Sequence, residues 1–204
     1  LYTAEEVINL AAKGDVLIRG WGATYVLGPV SHVVCVRVCA PLQFRAANLM
    51  RRIGVDDERL ARKEVEKNDA AHGRTMRQLF DVDWRNPLLY DLVLNTAKIP
   101  VDDCVATIAG LTRRSVYEET EQSRAQLADL QLEARIRTAL KDDPRTQDAG
   151  QFFDIVLEHT TGKVKLVGVV HSEAFKEEVE EIAAGVEGVT EIDNQLTVAV
   201  LTSV

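Results

Sequence analysis

Val33-Val34-Cys35-Val36-Arg37-Val38-Cys39-Ala40-Pro41 decides the fold of the first half of this chain. A mostly apolar run of this length, closed by a proline, has the pattern of a parallel strand covered on both faces. Val16-Leu17-Ile18, ending in Gly20-Trp21-Gly22, is a second such run, and Asp91-Leu92-Val93-Leu94-Asn95 is a third. Between and around them the periodicity turns helical. Thr3 to Lys13 reads as a helix capped by Thr3 with Glu6 three residues on, Leu42 to Ile53 and Asp56 to Leu79 follow, and Pro100 opens a helix reaching Ala109. Strands alternating with helices predict an α/β layered fold with a mainly parallel sheet.

The pattern changes after Thr112. Arg113 to Asp129 is charged and free of Gly and Pro, so it is predicted to be a connecting helix. Leu130 to Leu140 is amphipathic, and Phe152 to Glu158 and Lys163 to Val170 form two strands joined by Thr160-Thr161-Gly162, with the glycine free to take positive φ. Ser172 caps a helix whose inner face is Phe175, Val179, Ile182 and Ala183, and Val189 to Val200 alternates as a last strand. The order αββαβ is a small α+β unit with its helices on one sheet face. The predicted domains are therefore 1–112, a connecting helix 113–129, and 130–204.

Composition bounds the function. The 204 residues suit two compact domains, and no apolar run reaches the roughly 20 residues that span a bilayer. The net charge of −8 lies wholly in the second half: up to Thr112 there are 14 basic and 14 acidic residues, and from Arg113 onward 10 and 18. Nucleic acid and anionic lipid both recruit Lys and Arg, so neither is expected as a partner. The odd set Cys35, Cys39 and Cys104 points to a reducing compartment and a cytoplasmic home. Cys35 and Cys39 on one strand sit roughly 13 Å apart, too far to share a metal ion. His32, His72, His159 and His171 lack HExxH spacing, so no metal site is predicted.

Ordered motifs in the first half resemble the cytidylate-kinase-like branch of the P-loop nucleoside monophosphate kinases: Val16 through Leu27, Ala40-Pro41 with Arg45 and Arg51, Asp69 through Arg77, Asp83-Trp84, and Tyr90 through Thr96. The second half is similar to a BON domain, through Gly162 to Val170 and Val186-Glu187-Gly188-Val189 followed by Asn194 and Leu196. The kinase resemblance implies a phosphotransferase with a CMP-like acceptor. It assigns catalytic roles to Arg74 and Arg77 and nucleotide contacts to Gly20, Trp21, Gly22, Arg45 and Asp69. BON domains imply binding of a ligand, here unknown, or of a membrane surface, which the acidic charge disfavours.

The departures from the kinase pattern are equally specific. Gly20-Trp21-Gly22 stands where the family shows Gly-Arg-Gly, so a planar cation has become a large aromatic. The lid segment Asp69-Ala70-Ala71-His72-Gly73-Arg74-Thr75-Met76-Arg77 keeps two arginines, three apart on a helix and so facing one way. The structural alternative makes them solvated charges paired with neighbours such as Asp69, and lets Arg45 and Arg51 simply form salt bridges. Trp84 and Tyr90 read as core aromatics rather than base-stacking plates. Tyr25 occupies the third glycine position of GxGxxG, so no dinucleotide fingerprint is present.

No GxxxxGK[ST] occurs in the sequence, which begins on Leu1 and is read as the later portion of a longer protein. The chain alone is accordingly expected not to transfer phosphate, with ATP and Mg²⁺ entering only alongside an upstream P-loop. In the kinase architecture the strand leading into that loop lies between Val16–Ile18 and Val33–Ala40. An upstream segment, a partner subunit such as a second copy, or a rearranged sheet must then fill the slot. The alternative function is a non-catalytic nucleotide- or ligand-binding scaffold.

Overall fold

Prolines at the starts of two helices organise the first unit. Ala40-Pro41 stops strand β1 (Val36–Cys39) and starts helix α3 (Leu42–Ile53), with the Pro41 carbonyl accepting from the Arg45 amide at 3.1 Å. Pro100, a four-residue turn beyond strand β2 (Leu92–Asn95), starts helix α5 (Val101–Leu111), accepting from the Cys104 amide at 3.0 Å. A residue whose φ is already fixed near −55° and which has no N–H suits the entry to a helix. The computed structural model describes residues 4–20, 22–54, 56–147, 153–158 and 162–199. Its contacts divide the chain into two units, Arg19–Thr120 and Tyr2–Ile18 with Glu121–Val204.

In the first unit β1 and β2 run parallel, with Val36, Arg37, Val38 and Cys39 opposite Leu92, Val93, Leu94 and Asn95. The crossover between them is a helical hairpin of α3 and α4 (Glu58–Phe80). Gly54 takes φ +70° to end α3, and the Asp57 carboxylate caps α4 by accepting from the Leu60 amide at 2.9 Å. Small Ala46 and Ala61 are buried in this unit, as is Met76. A short helix α2 (Ala23–Leu27) begins at Gly22, whose φ is +90°. That φ favours glycine, and a Cβ there would meet the end of the Phe80 ring at 2.7 Å and force it to move.

Two elements differ from the sequence reading. Val16-Leu17-Ile18 is not a strand: Leu17 is 90% exposed and Val16 45%, and among the described residues no neighbouring strand lies beside the segment to pair and cover it. Nor is Arg113 to Asp129 a connecting helix. A single 3-10 turn at Ser115–Tyr117 follows α5, and then one continuous helix α6 runs Glu121–Asp142, merging the charged stretch with the amphipathic one.

The second unit has the predicted order, α6, β3 (Phe153–Glu158), β4 (Lys163–Val170), α7 (Glu173–Ala184) and β5 (Glu191–Val198). β4 is central, antiparallel to β3 and parallel to β5. Ser172 caps α7, its hydroxyl accepting from the Phe175 amide at 3.2 Å. Leu132, Ile136 and Leu140 of α6 meet Phe175, Val179 and Ala183 of α7 over Val164, Leu166, Val170 and Leu196 of the sheet, one continuous core. Helix α1 (Ala4–Ala11) also belongs here by contact, with Val7 and Ile8 buried and hydrogen bonds from Gln131 to Asn9 and from Thr138 to Glu5. Thr3, Phe152, Thr160, Thr161 and Val200 of the sequence reading lie outside the described residues.

Candidate functional site

Arg37 stands in the middle of β1, and around it the first unit opens into two cavities that share Arg37, Val38 and Trp84 as walls. One, of about 610 Å³, is lined by the glycine turn at Gly20 and Gly22 and by Tyr25, His72, Met76 and Tyr90 among others. The other, of about 540 Å³, is lined by Arg37, Arg45, Arg74, Arg77 and Arg85 with Asp69 and Asp83. The first is largely aromatic and apolar, and the second is cationic. Both volumes fall in the range of small-molecule sites.

Pairing decides which of those charges are spoken for. Arg45 of α3 grips Asp69 of α4 with both terminal nitrogens at 2.7 Å, and Arg85 grips Asp83 through Nε and Nη2, each at 3.0 Å. The Arg85 hydrogen bonds hold the exposed Asp83 carboxyl down to about 2, so this pair stays ionised across the physiological range. Arg74 and Arg77 are exposed on α4 and, among the described residues, neither forms an ion pair, although the Arg77 charge reaches Asp83. Arg37 donates from Nη1 to the Arg85 carbonyl at 2.7 Å, a neutral acceptor that leaves its charge uncompensated.

The aromatic wall is built as a stack. The Arg37 guanidinium carbon lies 4.7 Å from the centre of the Trp84 ring, and His72 covers the ring's other side at 4.4 Å and 11° between planes. Gly73 lies beneath the same ring, where a Cβ would sit in ordinary contact 3.5 Å from the indole nitrogen. Tyr90 ties the loop down, its hydroxyl donating to the Trp84 carbonyl at 2.7 Å. Burial lowers the His72 pKa, with the Asp69 charge opposing and the Arg37 charge adding to the shift, so the imidazole is neutral over most of the physiological range. With both faces occupied, Trp84 is a structural plate between the cavities.

Of the residues singled out from sequence, Arg45, Asp69, Arg74 and Arg77 converge on the cationic cavity and Gly20 and Gly22 on the other. Trp21 lies outside the described residues. Arg51 is exposed, bonds Asn48 one turn back on its own helix, and lines neither cavity. Arg37 and Arg85 were not foreseen. A single arginine inside the apolar run from Val33 to Ala40 was the available signal for the first. The groups of Cys35 are also settled by burial: its amide donates to Asp91 at 2.6 Å, and burial followed by the Asp91 charge pushes its thiol up to about 11.

A labelling prediction follows from these positions. Half-buried Cys39 lines the cationic cavity, whereas Cys35 and Cys104 are buried. At pH 7.5 iodoacetamide should modify Cys39 first and leave Cys35 unreacted until the fold opens, as read by peptide mass mapping. A ligand filling the cavity should slow the Cys39 reaction.

Comparison with known proteins finds two families. Residues 1–98 match the cytidylate kinase-like family, and residues 128–200 match the BON domain. The chain joins a cytidylate kinase-like region to a BON domain. It is 31% identical over 101 residues to a cytidylate kinase of Methanopyrus kandleri, covering 46% of this chain and 52% of that protein. It is 25% identical over 97 residues to the cytidylate kinase of Methanocaldococcus jannaschii, covering 47% and 54%. The chain thus spans about half the length of the curated kinases it matches. It is also 29% identical over 116 residues to the outer membrane lipoprotein DolP of Haemophilus influenzae, covering 56% and 58%. Among the described residues no helix is long and apolar enough to cross a membrane.

Proposed function

We propose that the kinase-like region is the acceptor side of a phosphoryl-transfer site and binds a nucleoside monophosphate of the CMP type, phosphate in the arginine-lined cavity and ring in its neighbour. The observation that carries this reading is the pair Arg74 and Arg77, two guanidinium groups without a carboxylate partner among the described residues, gathered on one cavity of a chain with net charge −8. Unpaired cations repel by about 1 kcal/mol per pair at 4 Å in water, which an open cleft tolerates. A phosphate inserted among them gains charge-assisted hydrogen bonds of about 1.5–3 kcal/mol each, so the anion-bound state wins. Arg74 and Arg77 are then the groups that neutralise charge at the transferring phosphate, while Arg45, fixed by Asp69, shapes the cavity floor.

Donor binding belongs to a separate element. A P-loop segment, where present, supplies the backbone cradle for ATP and Mg²⁺, and β1 has room for its strand. Among the described residues β1 pairs only with β2. Because the Cys35 and Cys39 carbonyls bond toward β2, the period of a parallel strand turns the peptide groups of Val36 and Val38 to the other edge. Val38 is 59% exposed. A two-stranded parallel sheet with an apolar open edge is marginal alone, so in this reading a further strand, from a longer form of the chain or from a second copy, completes it. The BON unit binds a separate ligand, and the free cysteines accord with a cytoplasmic setting.

Isothermal titration of CMP, dCMP, UMP, ATP and cytidine into the chain tests the reading. A pyrimidine monophosphate should bind, cytidine at least tenfold more weakly, and binding should fade as salt rises. Absence of binding by every nucleotide at low salt would refute it.

A further inference from the structure

Arg37 is held more elaborately than a structural cation requires. It rises between Val36 and Val38, lies over Trp84 at 4.7 Å and near Tyr90 at 5.9 Å, and spends Nη1 on the Arg85 carbonyl. Its Nε is buried without a hydrogen-bond partner among the described residues. A buried donor of a cation left unpaired is destabilising, and such groups are retained where something satisfies them. The Nε–Nη2 edge is the side of the guanidinium that matches two oxygens of one phosphate. Attraction to the face of an indole is tolerant of sliding, so a small shift over Trp84 brings that edge to the cleft without breaking the stack.

We propose that Arg37 is the specificity-determining residue of this cleft: it lies where the two cavities meet and binds the phosphate ester at its junction with the sugar, so that tight binding demands ring and phosphate in one molecule. The inference rests on the nucleotide reading above and extends it to a residue outside the arginine pair of α4. Position supports it, because among the described residues Arg37 is the one arginine that lines both cavities. Chemistry supports it too, because inorganic phosphate reaches Arg74 and Arg77 without needing the junction, and cytidine reaches the aromatic cavity without needing the cation.

The test compares CMP, cytidine and inorganic phosphate by titration calorimetry in the full chain and in Arg37→Lys and Arg37→Gln, with melting curves alongside. Arg37→Lys keeps the charge but not the fork. CMP affinity should fall by about tenfold or more in Arg37→Lys and further in Arg37→Gln, while phosphate and cytidine change by less than about threefold. A purely structural Arg37 would lower all three by a common factor together with the melting temperature, and that result overturns the inference. Unchanged CMP affinity in Arg37→Lys overturns it as well. If the unaltered chain binds no nucleotide, the proposed function itself fails and this inference falls with it. Should the variants fold poorly, arginine side-chain NMR of the unaltered chain decides: the buried Nε–H signal of Arg37 should shift with CMP and stay still with cytidine, and a signal unmoved by CMP counts against the proposal.

Discussion

Replacing Arg74 and Arg77 together by alanine is expected to weaken CMP binding by about 100-fold or more while leaving the melting temperature nearly unchanged. Each arginine offers a phosphate a charge-assisted hydrogen bond worth about 1.5–3 kcal/mol, so losing both removes at least about 3 kcal/mol of binding. The fold loses little, because both side chains are exposed on α4 and neither forms an ion pair among the described residues. Surface substitutions of that kind usually change stability by less than about 0.5 kcal/mol. Calorimetry at low salt and a thermal melt check both halves. Equal CMP affinity in the double variant would make the arginines ordinary solvated charges.

The second large effect concerns the BON unit. Gly162→Val should destabilise it by about 3–4 kcal/mol, the sum of left-handed strain and overlap with fixed backbone. Gly162 has φ +70°, and a Cβ added there would lie 2.2 Å from the Gly188 carbonyl oxygen, an atom held in place by neighbouring chain. The same turn supplies the Gly162 carbonyl to the Thr190 amide at 2.8 Å, which sets the start of β5 beside β4. A loss of that size is a large part of the stability of a small domain. Urea denaturation followed by circular dichroism measures it, and a change below about 0.5 kcal/mol would show that this turn does not need glycine.

Local chemistry made most elements legible. Pro41 and Pro100 mark helix starts wherever they occur after an apolar strand, and Ser172 with Phe175 three residues on marks the start of α7. What failed was anything that depends on distant neighbours. Val16-Leu17-Ile18 has the composition of a buried strand, yet strand formation needs a paired edge, and Leu17 is 90% exposed with no strand partner among the described residues. The division at Asp129 followed a change from charged to amphipathic residues, but a helical hydrogen-bond ladder ignores composition. α6 runs through it, with Ser123 and Leu127 buried on the charged side. The attachment of α1 to α6 joins residues more than 120 positions apart and leaves no trace in either segment.

The site was legible to the same extent. Arg74 and Arg77 are three apart on one helix, so their shared direction is written in the sequence. The Arg45 pairing with Asp69 crosses from α3 to α4, so no local pattern contains it. Arg37 and Arg85 reach the cavity from a strand and from a loop, and convergence of that kind is a property of the fold rather than of any local pattern.

A crystal structure of the chain grown with CMP tests the central claim most directly. The account predicts the phosphate within hydrogen-bond distance of the Arg74 and Arg77 guanidinium groups and the pyrimidine in the adjoining cavity beside Tyr25 and Met76. Nucleotide bound elsewhere, or an empty cleft at saturating CMP, would contradict it.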